Sequence, residues 1–164
     1  MVETRPRLLA EFMLLSFLLC EFGFRHGSSD TTTQLHPHED SDTNNLKIKC
    51  TGDCVHDKNR YHCHVKEFSF TSAALTGSIP KEVEELKHLE KLDLSGNQLS
   101  GSIPNTLWNL SALKEFDLSS NKLTGSIPDT LWNLSSLVSL DLSRNQLAEG
   151  ISERIGHLRN LTYL

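Results

Sequence analysis

Apolar residues recur along the second half of the chain at a fixed interval of 24 positions. The aligned apolar positions are Leu92, Phe116 and Leu140 in one column and Leu94, Leu118 and Leu142 in another. A repeat of this length is typical of stacked arrays, in which one small unit recurs and each unit packs on the next. The interval therefore predicts a repeat protein rather than a single irregular core.

Each repeat contains a short segment in which apolar and polar residues alternate. These segments read KLDLS at 91–95, EFDLS at 115–119 and SLDLS at 139–143. A period of two predicts a half-buried strand whose apolar side chains point inward. Stacked copies would pair edge to edge into a parallel sheet with one shared core, where burying each leucine contributes roughly 1.5–3 kcal/mol.

Asparagine, glycine and proline follow each predicted strand at matching positions. Asn97, Asn121 and Asn145 are predicted to form a structural ladder, because a side-chain amide both donates to and accepts from turn backbone groups. Gly101 and Gly125 are predicted to take backbone angles closed to other residues. The proline three residues after each glycine then fixes the next turn, and a short helical or 3₁₀ stretch such as 105–113 covers the far side of the core.

The common pattern is L-x-x-L-x-x-L-x-L-S-x-N-x-L-x-G-x-I-P, and over residues 68–164 it resembles the 24-residue leucine-rich repeat of plant cell-surface receptors. The resemblance implies an α/β solenoid. It would be a right-handed leucine-rich-repeat superhelix of about four repeats, with a parallel sheet on its concave face and a small cysteine-containing cap before the first repeat.

Four segments are expected along the chain. Residues 1–25 carry Arg5 and Arg7 before an apolar run and resemble a secretory signal peptide, although an unprocessed anchor or a mistaken start is the alternative. Residues 26–45 are polar and are predicted to be a disordered linker. The cap is placed at 46–66 and the repeats at 67–164. The last leucines keep the 24-residue interval up to Leu164, so we expect the repeat array to be truncated.

The cap contains three closely spaced cysteines, which in a secreted protein indicate disulfide bonding. Its CHV phrase, directly before the first repeat strand, resembles the amino-terminal cap of plant receptor-like kinases that also carry a malectin-like domain. On that basis we expect Cys54 to pair with Cys63, which leaves Cys50 free or paired elsewhere. A zinc site is the competing interpretation, but the spacing of these cysteines and the nearby histidines fits no standard zinc module. We therefore expect no metal and no cofactor.

The polar positions of the predicted strands define a candidate ligand-binding surface on the concave face. These residues are Lys91, Asp93, Ser95, Glu115, Asp117, Ser119, Ser139, Asp141 and Ser143. The surface is acidic and, on this interpretation, lacks exposed aromatic residues. It predicts weak, salt-sensitive binding of a basic or hydroxyl-rich ligand. The alternative is that these aspartates have no binding role, because aspartate is common at this position of the plant repeat consensus.

Three N-x-S/T sequons, at Asn109, Asn133 and Asn160, are predicted glycosylation sites if the chain is secreted. The net charge of −5 without a basic stripe argues against nucleic acid as a partner. No phosphate-binding loop or kinase motif is present in the sequence, so we expect no enzymatic activity and no catalytic residues.

The resemblance implies an extracellular binding module of a plant receptor-like kinase or receptor-like protein, in signalling or defence perception. Its partners would be a protein or peptide ligand and a co-receptor, with membrane attachment only through a downstream segment. The alternative is a secreted inhibitor of microbial cell-wall-degrading enzymes, of the polygalacturonase-inhibitor type. The cap of those inhibitors contains a tryptophan, whereas residues 46–66 contain none.

Overall fold

Two sheets, each built from successive coils of the chain, organise the protein. The computed structural model describes residues 7–8, 46–57, 60–148 and 153–164, with side chains from 64 to 148 and from 155 to 164. The predicted linker at 26–45 and residues 149–152 lie outside the described residues. The leucine-rich-repeat solenoid predicted from the 24-residue interval is confirmed for the described coils.

The first sheet contains the strands predicted from the alternating pattern. Its strands are β2 (Leu46–Asp57), β3 (Arg60–Phe70), β5 (Lys91–Asp93), β7 (Glu115–Asp117) and β9 (Ser139–Asp141). β3, β5, β7 and β9 run parallel in the 24-residue register, while β2 pairs antiparallel with β3. A further bridge joins Ser139 to Tyr163, so the register continues past β9.

A second parallel sheet, which the sequence did not predict, follows the asparagine turns. Its strands are β1 (Arg7–Leu8), β4 (Leu75–Gly77), β6 (Gln98–Ser102), β8 (Lys122–Ser126) and β10 (Gln146–Ala148). Gly101 and Gly125 have φ angles of +79° and +86°, as predicted from their place in the repeat. A Cβ on Gly125 would also lie only 3.3 Å from the Cβ of Ser102 on the preceding coil. Glycine at this position therefore serves both the backbone angle and the close approach of neighbouring coils.

Short 3₁₀ helices return the chain from the second sheet to the first. They span Lys81–Glu85, Asn105–Asn109, Asp129–Asn133 and Glu153–His157. In the second of them, the N–H of Leu107 donates to the carbonyl of Pro104 at 3.0 Å, which is the i to i+3 bond of a 3₁₀ turn. Each of the first three helices follows a proline, whose fixed φ and missing N–H suit the start of a helical turn.

The core lies between the two sheets and the 3₁₀ helices. Phe68 and Phe70 fill the strand-leucine positions of the first coil, and their ring centroids are 4.5 Å apart. Phe116 fills the same position in the third coil, where Trp108 meets its ring edge-on at 5.8 Å. Burial decreases in the last coil, because Leu142 and Leu147 are only half-buried. No helix of the described residues is long and apolar enough for a bilayer crossing.

The amino-terminal edge of the first sheet is covered by the β2–β3 hairpin. In its register His62 pairs with Val55 and His64 with Thr51, so Cys63 lies opposite the irregular segment 52–54. The cysteine side chains themselves lie outside the described residues. The Cys54–Cys63 disulfide and the boundaries of the four predicted segments therefore stay predictions.

Two tryptophans at the same repeat position differ in their hydrogen bonding. The Nε1 of Trp132 donates to Asp129 at 3.2 Å, three residues earlier in the same 3₁₀ helix. Trp108 is fully buried, and its Nε1 has no acceptor among the described atoms. The residue corresponding to Asp129 in that helix is Asn105, which is exposed. The Oδ1 of Asn105 is also an acceptor but makes no bond to Trp108. A charged carboxylate, which accepts more strongly and through either oxygen, should supply the missing acceptor.

We expect Asn105→Asp to raise the free energy of unfolding by about 1 kcal/mol, because a buried donor without a partner is costly and gains an acceptor. Urea unfolding of the wild type and the variant measures the difference. In a Trp108→Phe background, which lacks the indole N–H, the same substitution should have no effect. A gain that persists in that background would show that the new carboxylate acts through something other than Trp108.

Candidate binding surface on the first sheet

The nine residues predicted for the binding surface lie together along the outward side of the first sheet. Register pairs Lys91 with Glu115 and Glu115 with Ser139, and it pairs Asp93 with Asp117 and Asp117 with Asp141. Ser95, Ser119 and Ser143 follow the strands by two residues. We call this set, together with the bridged Tyr163, the strand face. It comprises Lys91, Asp93, Ser95, Glu115, Asp117, Ser119, Ser139, Asp141, Ser143 and Tyr163.

The asparagine ladder holds neighbouring coils of this surface in register. The Oδ1 of Asn97 accepts from the N–H of Leu75 at 3.0 Å, and its Nδ2 donates to the carbonyls of Leu94 at 2.8 Å and Phe70 at 2.7 Å. Asn121 repeats this arrangement one coil later and Asn145 two coils later. The strands and turns that present the surface are therefore tied together by side-chain amides, which are buried at Asn97 and Asn121 and half-buried at Asn145.

Each aspartate of the strand face has one oxygen committed to its own turn. The Oδ1 of Asp117 accepts from the N–H of Ser119 at 2.8 Å, and the Oδ1 of Asp141 accepts from the N–H of Ser143 at 2.9 Å. Asp93 does the same with Ser95 at 3.1 Å. The second oxygen of each carboxylate has no partner within the described residues. The aspartates thus shape the turns and also leave negative charge on the surface.

The lysine and the glutamate of the strand face pair with each other instead of standing free. The Nζ of Lys91 lies 2.6 Å from Glu115 Oε2. The Glu115 carboxylate raises the pKa of Lys91 above its ordinary value. The sequence interpretation treated these two residues as separate ligand contacts. The remaining free charge of the strand face is therefore that of the three aspartates.

A second ion-pair network lies immediately beside the first. Glu90 accepts from Lys66 through Oε1 and from Lys114 through Oε2, the latter at 2.6 Å. Hydrogen bonds from Lys114 and Lys66 lower the pKa of Glu90 from 4.5 to about 2. Three successive coils are thus linked through one carboxylate.

Because pairing depresses the pKa of Glu90, its contribution to stability is complete above pH 4.5 and is lost as the pH falls toward 2. The Lys66 pair is partly exposed and the Lys114 pair is exposed, so we expect Glu90→Gln to lower the free energy of unfolding by only about 1 kcal/mol at pH 7. Urea unfolding at a series of pH values should show the difference between wild type and variant shrinking between pH 4.5 and 2.

The matched control is Glu85→Gln, since Glu85 is exposed and makes no ion pair among the described residues. It should change stability by less than about 0.5 kcal/mol at any pH. A Glu90→Gln effect that stays constant down to pH 2, or that the control reproduces, would contradict the ion-pair explanation.

The expectation that this surface lacks exposed aromatic residues is wrong. Tyr163 pairs in register with Ser139, and its side chain is 60% exposed. Its position, 24 residues after Ser139, was sufficient to find it from the sequence. The strand face therefore combines carboxylates with one accessible ring.

The predicted glycosylation residues are all exposed. Asn109 and Asn133 end two successive 3₁₀ helices. Asn160 also donates through Nδ2 to the carbonyl of Ser135 at 2.9 Å. Their exposure is compatible with modification, which stays a prediction.

The zinc alternative finds no support in the described part of the cap. His64 is exposed and stacks on His88 with ring centroids 3.8 Å apart. Among residues with described side chains, no group of three or more histidine, cysteine or carboxylate residues is arranged to hold a metal ion. The other candidate ligands, at 50–63, lie outside those residues.

Several solved structures of similar fold are plant receptors, and a plant ice-binding protein is also similar, at 39% identity and a TM-score of 0.55 over 57% of this chain and 30% of that chain. The plant peptide hormone receptor RGFR1 in complex with RGF2 is 45% identical with a TM-score of 0.59, over 60% of this chain and 16% of that chain. Arabidopsis HAESA, in complex with the peptide hormone IDA and the co-receptor SERK1, is 37% identical with a TM-score of 0.53, over 55% of this chain and 15% of that chain. This chain thus spans about one sixth of each of these receptor structures.

A shorter ectodomain aligns over more of its length. The leucine-rich-repeat ectodomain of the receptor kinase SOBIR1 from Arabidopsis thaliana is 30% identical with a TM-score of 0.62, over 79% of this chain and 70% of that chain. A comparison with curated proteins finds no match. The leucine rich repeat family model matches residues 64–123 and 87–147, which together are just over half of the sequence. With two register-matched sheets, a buried asparagine ladder and this family match, the chain belongs to the leucine-rich-repeat family.

Proposed function

We propose that the chain is an extracellular peptide-binding module of a plant receptor-like kinase or receptor-like protein, acting in signalling or defence perception. The observation that carries the proposal is the strand face, a solvent-facing surface of aligned strands with three carboxylates that form no salt bridge among the described residues. RGFR1 and HAESA, whose structures resemble this one, each hold a peptide hormone, which supports a peptide as the ligand class.

The finer assignments belong to the same proposal. Secretion would use residues 1–25, and glycans would be carried at the exposed sequons. Membership of the malectin-containing kinase group rests on the CHV phrase of the cap. A co-receptor is a proposed second partner, because the HAESA complex contains one. The module would bind without catalysing a reaction and without a cofactor.

Selection from a random 12-residue peptide library on the purified chain tests the proposal. Enriched peptides would be synthesised, and their affinities measured by calorimetry. Ser119→Tyr places a bulky ring in the middle of the strand face and should abolish binding. The matched control Ser126→Tyr places the same ring on the exposed side of β8, in the second sheet, and should leave binding unchanged.

Failure to enrich any peptide over an empty support would overturn the proposal. Equal loss of binding in both tyrosine variants, or loss only in Ser126→Tyr, would also contradict it. Tight binding to a microbial polygalacturonase in the absence of peptide binding would favour the inhibitor alternative.

A further inference from the structure

The charged network beside the strand face ends at the fourth coil. Across three coils, two columns of alternating sign lie next to each other. Their members are Lys66, Glu90 and Lys114 in one column and Glu67, Lys91 and Glu115 in the other. Lys114 and Glu115 are followed 24 residues later by Val138 and Ser139, and then by Thr162 and Tyr163. The surface therefore changes from mutually neutralised charges to uncharged residues within one coil.

The uncharged end carries exposed apolar surface. Val138 is 39% exposed and Tyr163 is 60% exposed. Backbone hydrogen bonds join their two coils, since the N–H groups of Thr162 and Tyr163 donate to the carbonyl of Val138 at 2.8 and 3.3 Å. Leu164 is also exposed, but it occupies the inward column of Leu140 and is not counted in this surface. Val138 and Tyr163 thus supply exposed apolar and aromatic surface on two adjacent coils, Tyr163 on the strand face and Val138 one residue before Ser139.

Free carboxylates adjoin this surface. Asp117 and Asp141 are direct neighbours in register, and each has a second oxygen without a partner among the described residues. Asp141 is two residues beyond Ser139, which pairs with Tyr163. Since outward positions two residues apart on neighbouring strands are separated by roughly 7 Å, Asp141 and the ring can contact one side chain together. Asp117 lies one strand further from the ring, directly beside Asp141.

We propose that this end of the strand face docks an extended peptide segment containing an arginine beside an apolar residue. The guanidinium would donate to the carboxylates of Asp117 and Asp141 while its plane lies against the ring of Tyr163. The apolar side chain would cover Val138. The inference rests on the proposed function and specifies its ligand. The binding energy comes mainly from the fourth and fifth coils together with Asp117 of the third, because the lysines and glutamates of the earlier coils already pair with each other.

The test is the same 12-residue library selection, with its enriched peptides measured against point variants. Asp141→Asn retains the Oδ1 acceptor of the Ser143 turn while removing the charge, and Tyr163→Ser removes the ring. Each should weaken binding about tenfold, as expected for central aromatic and charged contacts. Tyr163→Phe keeps the ring face and should change the affinity by less than about twofold. Thermal melts verify that each variant remains folded.

Replacing arginine with neutral citrulline in the peptide provides the second arm. It should weaken binding to the wild type about tenfold and have little further effect on Asp141→Asn, because both changes remove the same contact. Enriched peptides that lack arginine, or that bind the Asp141→Asn and Tyr163→Ser variants as well as the wild type, would overturn the inference while leaving peptide binding intact. If no peptide is enriched at all, the proposed function and this inference both fail.

Discussion

Asn121→Ala is expected to lower the free energy of unfolding by roughly 3–5 kcal/mol, a large part of the 5–15 kcal/mol typical of a domain. Asn121 is 8% exposed, and its Oδ1 accepts from the N–H of Leu99 at 3.0 Å. Its Nδ2 donates to the carbonyls of Leu94 at 2.9 Å and Leu118 at 3.1 Å. Alanine leaves the buried N–H of Leu99 without its acceptor, and it removes the bond to Leu94 that joins adjacent coils and the bond to Leu118 within the same coil.

Urea unfolding followed by circular dichroism measures this loss. Asn105→Ala is the control, because Asn105 is exposed and its change should stay within about 0.5 kcal/mol. A loss below about 1 kcal/mol for Asn121→Ala would mean that water replaces the ladder at little cost, which would contradict its structural role.

Leu123→Ala is expected to cost about 3 kcal/mol, whereas Leu147→Ala should cost about 1 kcal/mol. The two leucines occupy the same repeat position, but Leu123 is fully buried between its neighbouring coils and Leu147 is only half-buried. The penalty for removing a leucine side chain grows with the cavity left behind, and a partly open site leaves a smaller one.

Chemical denaturation of both variants gives the comparison, with Leu99→Ala as the matched buried control one coil earlier. Leu99→Ala should resemble Leu123→Ala. Equal losses at Leu123 and Leu147 would show that the last coil is packed as tightly as the middle ones, in conflict with the burial pattern.

The 24-residue interval was sufficient to predict the first sheet and the inward column of Leu92, Phe116 and Leu140. It succeeded because in a stacked array each residue meets its own equivalent in the next coil. The same reasoning pairs Lys91 with Glu115 and places Tyr163 beside Ser139. The sequence interpretation did not apply the 24-residue interval to these two pairs. These two features of the candidate site were therefore predictable in principle.

The second sheet could not be predicted from the repeat interval and the alternation of apolar and polar residues. Segments such as KLTGS at 122–126 contain glycine and serine, which have low strand propensity, and they pair only because identical segments lie alongside. The unmatched N–H of Trp108 depends on the three-dimensional reach of the side chain at position 105, since asparagine and aspartate both carry an acceptor oxygen. No periodic pattern contains that information.

The measurement that tests the central claim most directly is solution NMR of the isotopically labelled chain, titrated with a peptide enriched from the random library. The account predicts that the largest amide shifts fall on the turns and strands of the strand face, at Asp117, Ser119, Asp141, Ser143 and Tyr163. Shifts confined to the second sheet, at 98–102 and 122–126, or to the 3₁₀ helices would contradict it.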